Sequence, residues 1–159
     1  MIYRVGFGQD SHKFRSDKKK KCVIAGIIFD EVPGFDADSD GDVVFHSICN
    51  AITSVTHISI LGSLAKKLCL EKGVVDSRIY LMKALETLDN YSIRHVALSL
   101  EGARPRFEKK LIRMRENVAK VLGVPSESVG ITTTSGDGMN LYGTGGGIMC
   151  MCVLTVSKT

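Results

Sequence analysis

The 159-residue sequence has no tryptophan, three prolines and only 6% aromatic residues. It has no large charge excess either: 21 Lys and Arg face 17 Asp and Glu, and four of the basic residues stand together as Lys18–Lys21. Without that run the chain is neutral, so it lacks the spread of basic charge interleaved with aromatics that tracks a phosphate backbone, and nucleic acid is not an expected partner. No run approaches the roughly 20 apolar residues that span a bilayer, so no membrane is expected either. The best runs, Val23–Phe29 and Ile148–Val156, are of strand length. Met1-Ile2-Tyr3-Arg4-Val5 reads straight into a strand, without the basic stretch and apolar segment of a secretory leader, and a cytoplasmic location is expected. Cysteine pairs at CxxC spacing are absent. The five cysteines (Cys22, Cys49, Cys69, Cys150, Cys152) are scattered among apolar neighbours, as suits small core residues in a reducing compartment.

What is present is a globular composition, 44% apolar and 24% charged, at the length of one domain able to bury its own core. Ile2–Gly8 and Cys22–Phe29 alternate, with the lysine run between them, which suggests a hairpin with a solvated, charged tip. From Asp42 the period becomes helical, with Val44, Ile48, Ala51, Ile52 and Val55 on one stripe and Ser39 and Asp42 at capping-box spacing. Ser59–Leu70 reads as a second helix that turns Ile60, Leu61, Leu64 and Leu68 to one side and stops at Gly73. Asp76 can cap a third, carrying Ile79, Met82, Leu85 and Leu88. Ile93–Leu100 is a strand, Pro105 leads into a helix faced by Leu111, Met114, Val118 and Leu122, and Gly123 closes it. Val129–Thr134 and Ile148–Val156 are the last strands. This order cannot be all-parallel, so the expected fold is α/β of the α+β type: a small mixed sheet with helices on one face, in a single domain spanning residues 1–159. The other sheet face, with Met149, Met151, Val153 and Val96, is left apolar, and such faces usually meet another subunit.

Three stretches can hold chemistry. In Gly6-Phe7-Gly8-Gln9-Asp10-Ser11-His12, Asp10 and His12 are two apart in extended chain and point the same way, as two ligands of one metal must. In Ser39-Asp40-Gly41-Asp42 with His46, Asp42 and His46 lie four apart on one helix face. Taken together, Asp10, His12 and His46 form an N/N/O set with three protein ligands, the catalytic type of zinc site with its fourth position open. Thr132-Thr133-Thr134-Ser135-Gly136-Asp137-Gly138 offers hydroxyls and N–H groups to phosphate oxygens and a carboxylate to Mg²⁺. Gly143–Gly147 has the glycines of a phosphate loop but no following Lys-Ser/Thr, so a P-loop is not supported.

At these residues the chain resembles the 2-C-methyl-D-erythritol 2,4-cyclodiphosphate synthase family of the non-mevalonate isoprenoid pathway. The resemblance is carried by Gly6, Gly8, Asp10 and His12, by Ser39, Asp40, Asp42 and His46, by the Asp76-Ser77 pair, and by the threonine run ahead of Gly143, Gly145, Gly147 and Ile148. It covers nearly the whole chain. It implies a homotrimer whose sheets face the threefold axis, with three active sites between neighbouring subunits. It also implies a substrate, 4-diphosphocytidyl-2-C-methyl-D-erythritol 2-phosphate, whose 2-phosphate attacks the β-phosphorus so that CMP leaves. Asp10, His12 and His46 would hold one Zn²⁺ per subunit, and Mg²⁺ or Mn²⁺ would accompany the diphosphate. Ser39 would donate to phosphate, Thr133 would reach the α-phosphate with Thr132 and Thr134 beside it, and Gly102, Ala103, Pro105, Arg106 and Phe107 would grip cytosine. Asp38, Gly62 and Asp76 fall in the same family's substrate-contacting stretches.

Four positions depart from the family's pattern. Asp38 stands where a phosphate-touching His is usual. Ser59-Ile60-Leu61-Gly62 replaces a Gly-Asp-Ile/Leu-Gly loop, so its acid is missing. Ser135 occupies the second-metal Glu position, leaving Asp137 as the nearest replacement along the chain, and Thr144 replaces an Arg near the threefold axis. Two rivals follow: a zinc-containing trimer that binds cytidine nucleotide or isoprenoid diphosphate without turnover, and a structural zinc domain closed by a fourth ligand from His57, His95 or a cysteine.

Overall fold

Alternation at the N-terminus continues for twelve residues and forms one long strand, β1 (Ile2–Lys13), in the computed structural model, which describes residues 1–159. The expected hairpin with the next segment is not made. β1 pairs antiparallel along its whole length with the equally long last strand, β6 (Gly147–Lys158), from Ile2 opposite Lys158 to Lys13 opposite Gly147. The Cys22–Phe29 segment breaks at Ala25 and Gly26, whose φ values of 55° and 71° are those of a tight hairpin turn. It becomes two short strands, β2 (Lys21–Ile24) and β3 (Ile27–Pro33), paired with each other in a separate ribbon. Nor is the lysine run wholly a solvated tip: Lys20 Nζ donates to the carbonyls of Phe35 (3.2 Å), Ala37 (2.7 Å) and Ser39. It thereby holds the chain just ahead of the first helix.

That helix, α1 (Val43–Thr56), starts at Asp42 rather than through a Ser39 capping box. The fully buried Asp42 carboxylate accepts from the N–H groups of Val44 and Phe45 and also from Ala25 and Gly26, tying the helix start to the β2–β3 turn. Burial and the nearby Asp40 charge push its carboxyl up to about 7, against the pull of these donors. The stripe read along α1 is buried as expected, with Val44, Ile48, Ala51, Ile52 and Val55 all in the core.

The later helices follow the sequence less closely. In α2 (Ser63–Lys72) only Leu68 is buried. α3 (Ser77–Glu86) is capped by Asp76 as expected, but it buries Tyr80, Leu81 and Ala84 while Ile79 and Met82 are 39% and 53% exposed. Leu85 and Leu88, the second half of the expected stripe, do pack into the core, but at the start of the helix contact with α1 selects Tyr80, Leu81 and Ala84 in place of Ile79 and Met82. Pro105 does not open a helix. It sits buried in a loop, and α4 (Leu111–Leu122) begins six residues later, with Met114, Val118 and Leu122 inward and Gly123 as its left-handed cap.

β4 (Ser92–Glu101) and β5 (Val129–Thr134) complete a mixed four-stranded sheet in the order β1-β6-β4-β5. β4 is antiparallel to β6 and parallel to β5, and α4 supplies the crossover that a parallel pair requires. One sheet face carries Ile148, Cys150, Cys152, Leu154 and Val156 into the core under the helices. The other leaves Tyr3, Val5, Phe7, Met151 and Val153 exposed. Val96 was expected on that outer face but lies opposite Leu154 and is fully buried, because strand parity admits no intermediate position.

The placement of α1 against the sheet rests on two glycines. A Cβ on Gly6 would lie 2.2 Å from the Ala51 carbonyl oxygen, and one on Gly8 would lie 2.1 Å from that of Ser47. Gly8→Ala should therefore force helix and strand apart and cost about 3 kcal/mol. Gly123→Ala, where a Cβ meets nothing within 4 Å but φ is +67°, should cost only about 1 kcal/mol. Urea unfolding of both variants checks the order; equal costs would remove the close approach as the cause.

Candidate metal centre and substrate pockets

Asp10 and His12 alternate with Gln9 and Ser11 on β1, so both side chains turn to the helix side of the sheet. The glycine contacts bring the first turns of α1 over them, and His46 meets them from above. Asp10 Oδ2 lies 3.0 Å from His12 Nε2 and 3.1 Å from His46 Nδ1, and the two ring nitrogens are 3.3 Å apart. Burial alone would raise the Asp10 carboxyl, but hydrogen bonds and charge from His12 and His46 outweigh it and hold the carboxyl below its ordinary value. Two imidazole nitrogens and a carboxylate oxygen converging this closely suit a divalent ion that accepts mixed N and O donors.

The cluster holds three residues and no fourth. His57 caps the C-terminus of α1 and His95 lies exposed on β4. Cys69 lines the same cavity, but its thiol donates to the Asp38 carbonyl at 3.4 Å. The remaining cysteines are buried, and burial pushes the thiols of Cys22 and Cys150 up to about 12, so they are inert core groups. A closed structural site is therefore not formed. Asp42, read along the helix as a companion of His46, turns away to its cap.

A cavity of about 420 Å³ opens beside the cluster. Of the residues singled out in the sequence, Asp38, Ser39 and Gly62 line it. Ser39 Oγ accepts from Gly41 N–H at 3.2 Å, which leaves its own proton free to donate. Lys66, Cys69 and Tyr80 line it too, and no sequence signal marked them. Lys66 is the one lysine or arginine in a lining that includes the Asp10 and Asp38 carboxylates.

A second cavity, about 120 Å³, gathers Gly102, Ala103, Pro105, Arg106 and Phe107 with Thr133, Thr134 and Ser135. Glu108 joins them. The two cavities have no lining residue in common. Thr132 stays outside, its hydroxyl on the Leu98 carbonyl at 3.4 Å. Asp76 is occupied as a helix cap, bonded to Arg78 N–H at 2.8 Å, and lines neither cavity. Asp137 sits in an exposed turn at φ 46°, its carboxylate accepting from Ser135 Oγ at 2.8 Å. Along the chain Asp137 is the carboxylate nearest the threonines. In space Glu101 comes alongside, opposite Thr134 in the parallel ladder and bonded to Asn140 at 2.8 Å. That proximity needs the β4–β5 pairing and has no trace in local sequence.

A mixed sheet covered by helices on one face, with an open N/N/O cluster that could hold a metal ion at one end and a threonine-lined pocket apart from it, defines a class of α/β proteins, and the YgbB family profile matches residues 3–157. The 2-C-methyl-D-erythritol 2,4-cyclodiphosphate synthases of Chlamydia caviae and Chlamydia trachomatis serovar D are 54% and 51% identical over 159 residues, 99% of this chain and 90% and 89% of theirs. The fold is shared with the Plasmodium vivax synthase (TM-score 0.84, 21% identity, 99% of both chains). It is shared too with bifunctional IspDF from Campylobacter jejuni (TM-score 0.89, 19% identity), of which this chain covers 43% while 99% of it is matched. The chain belongs to the 2-C-methyl-D-erythritol 2,4-cyclodiphosphate synthase family.

His12→Ala and His46→Ala should each take up less divalent metal, zinc included, than the parent while keeping its far-ultraviolet circular dichroism, because the cluster joins elements that the glycine contacts and core already hold. Elemental analysis after gel filtration measures it. Parent-like zinc in either variant would remove that histidine from the centre.

Proposed function

We propose that the chain converts 4-diphosphocytidyl-2-C-methyl-D-erythritol 2-phosphate to 2-C-methyl-D-erythritol 2,4-cyclodiphosphate and CMP. The observation that carries this reading is the three-donor centre facing an open cavity, in a chain whose base-sized, threonine-lined pocket is separate. An oxygen of the 2-phosphate attacks the β-phosphorus, the bond from that phosphorus to the bridging oxygen breaks, and CMP departs with the bridging oxygen. Nucleophile and leaving group belong to one molecule, so the protein's task is to fold it and to balance its charge.

Zn²⁺ held by Asp10, His12 and His46 would supply Lewis acidity at a phosphate oxygen. Ser39 donates its free hydroxyl proton to phosphate, and Thr133 donates to the phosphate next to cytidine. The backbone of Gly102–Phe107 holds the base. Mg²⁺ or Mn²⁺ would accompany the diphosphate, with Asp137, the carboxylate nearest the threonines along the chain, as its protein ligand. Lys66 supplies a fixed positive charge in a pocket where Asp38 would otherwise repel the substrate.

The separate cavities and the exposed Tyr3, Val5, Phe7, Met151 and Val153 support a homotrimer that buries this face and completes each site from two chains. CMP release from the diphosphocytidyl substrate with zinc and magnesium tests the activity. Binding without turnover is the rival outcome, favoured by Ile60, a buried apolar residue at the missing acid's position.

Sharing is tested by mixing. His12→Ala spoils the metal half and Ala103→Trp blocks the second cavity at an exposed position, so each alone should be inactive. Trimers refolded from an equal mixture should recover about a quarter of parental sites, the chance of the required ordered pair in a closed ring. A mixture that stays inactive after light scattering confirms mixed trimers would sink the shared site. For Lys66→Ala we expect KM to rise about tenfold, the scale of one charge-assisted hydrogen bond, with Lys66→Arg near the parent. Steady-state kinetics at fixed ionic strength measures it, and an unchanged KM would remove Lys66 from substrate binding.

A further inference from the structure

Behind the metal centre, on the side away from the cavity, His46 Nε2 lies 2.9 Å from Ser77 Oγ, the first residue of α3. Ser77 is fully buried. Its hydroxyl donates to Asp40 Oδ1, and its backbone N–H donates to Asp40 Oδ2 at 3.1 Å. Asp40 Oδ1 also accepts from Asp42 N–H at 3.1 Å, and the Asp40 N–H donates to the Val75 carbonyl at 2.8 Å. One carboxylate thus joins the residue that caps α1 to the residue that opens α3.

Proton accounting gives this chain a direction. An ionised carboxylate only accepts, and a serine hydroxyl has one proton to give. Ser77 gives that proton to Asp40, so it can only accept from His46, and His46 Nε2 must carry the hydrogen. In the neutral ring, the form that a metal ion requires, the lone pair is then on Nδ1, the atom that faces Asp10 Oδ2 and His12 Nε2. Three potential ligand atoms, Asp10 Oδ2, His12 Nε2 and His46 Nδ1, converge on one space.

From this we infer that Ser77 and Asp40 act as positioning residues for the metal: they fix the His46 ring and its tautomer so that Nδ1 is presented to the ion. The role extends the metal-centre reading above and rests on it. Neither residue touches the substrate cavity. Ser77 was visible in the sequence only as half of an Asp-Ser pair, and Asp40 only as part of the run before α1. Their connection to His46 exists only because α3 packs against α1.

The test is zinc affinity, measured by competition with a chromophoric chelator on the purified full chain. Ser77→Ala should weaken zinc binding about 10- to 100-fold, the usual cost of removing a partner behind a ligating histidine. Ser77→Thr, which keeps the hydroxyl, should recover most of it. Asp40→Asn should weaken binding as well. Combined with Ser77→Ala it should add little, because the two residues act in series on one nitrogen. Circular dichroism and the thermal midpoint of each metal-free variant separate lost folding from lost affinity. A folded Ser77→Ala chain with parental affinity would overturn the inference, and losses that multiply in the double variant would overturn the serial arrangement. A parent chain that bound no zinc would instead overturn the metal centre itself.

Discussion

Helix α1 approaches strand β1 so closely that only hydrogen fits at two positions between them. Gly6 and Gly8 let the carbonyls of Ala51 and Ser47 descend onto the strand. Two residues further along β1, where side chains return, the first is Asp10 and the next on that face is His12. The separation set by the glycines is what allows the short Asp10 and the ring of His46 to share one space. A helix held off by alanines would leave the three donors too far apart for one ion.

The rest of the protein secures that approach from several sides. Asp42 fastens the start of α1 to the β2–β3 turn through four N–H donors, at the cost of burying a carboxylate. Lys20 gathers the carbonyls of Phe35, Ala37 and Ser39, and so shapes the wall of the cavity facing the centre. β6 runs the full length of β1 and delivers a row of buried side chains beneath α1. The result is an ordered centre beside a cavity walled partly by α2, which has only Leu68 in the core. A segment with so few buried contacts is the part of the wall best able to adjust to a substrate.

Charge is arranged sparingly around the site. The chain as a whole is nearly neutral apart from its lysine run, and the lining of the larger cavity contains two carboxylates and one lysine. A polyanion entering it would depend on the charge of an ion held by Asp10, His12 and His46, on Lys66 and on hydroxyl and backbone donors, not on a basic field. This agrees with a reaction in which both reacting phosphates belong to the same molecule and need folding together more than gathering from solution.

The sequence by itself determined the elements with strong local signals. The apolar stripe of α1, the limits of β5, the Asp76 cap and the Gly123 stop are all where pattern and capping chemistry put them, because each depends on residues within one or two turns. Asp10, His12 and His46 could be grouped from the alternation of a strand and the chemistry of ligands, with family resemblance to join two distant segments. What only the tertiary structure decided is everything that depends on which segment lies beside which. β1 could have paired with its neighbour in the chain, but β6 offers twelve partners and the nearer segment is cut by a turn. The buried face of α3, the inward side of Val96, the work of Lys20, the nearness of Glu101 to the threonines and the link from Asp40 through Ser77 to His46 all arise from contacts between elements far apart in sequence. No local period records them, because a side chain's burial and its hydrogen-bond partner belong to the packed pair and not to either segment alone.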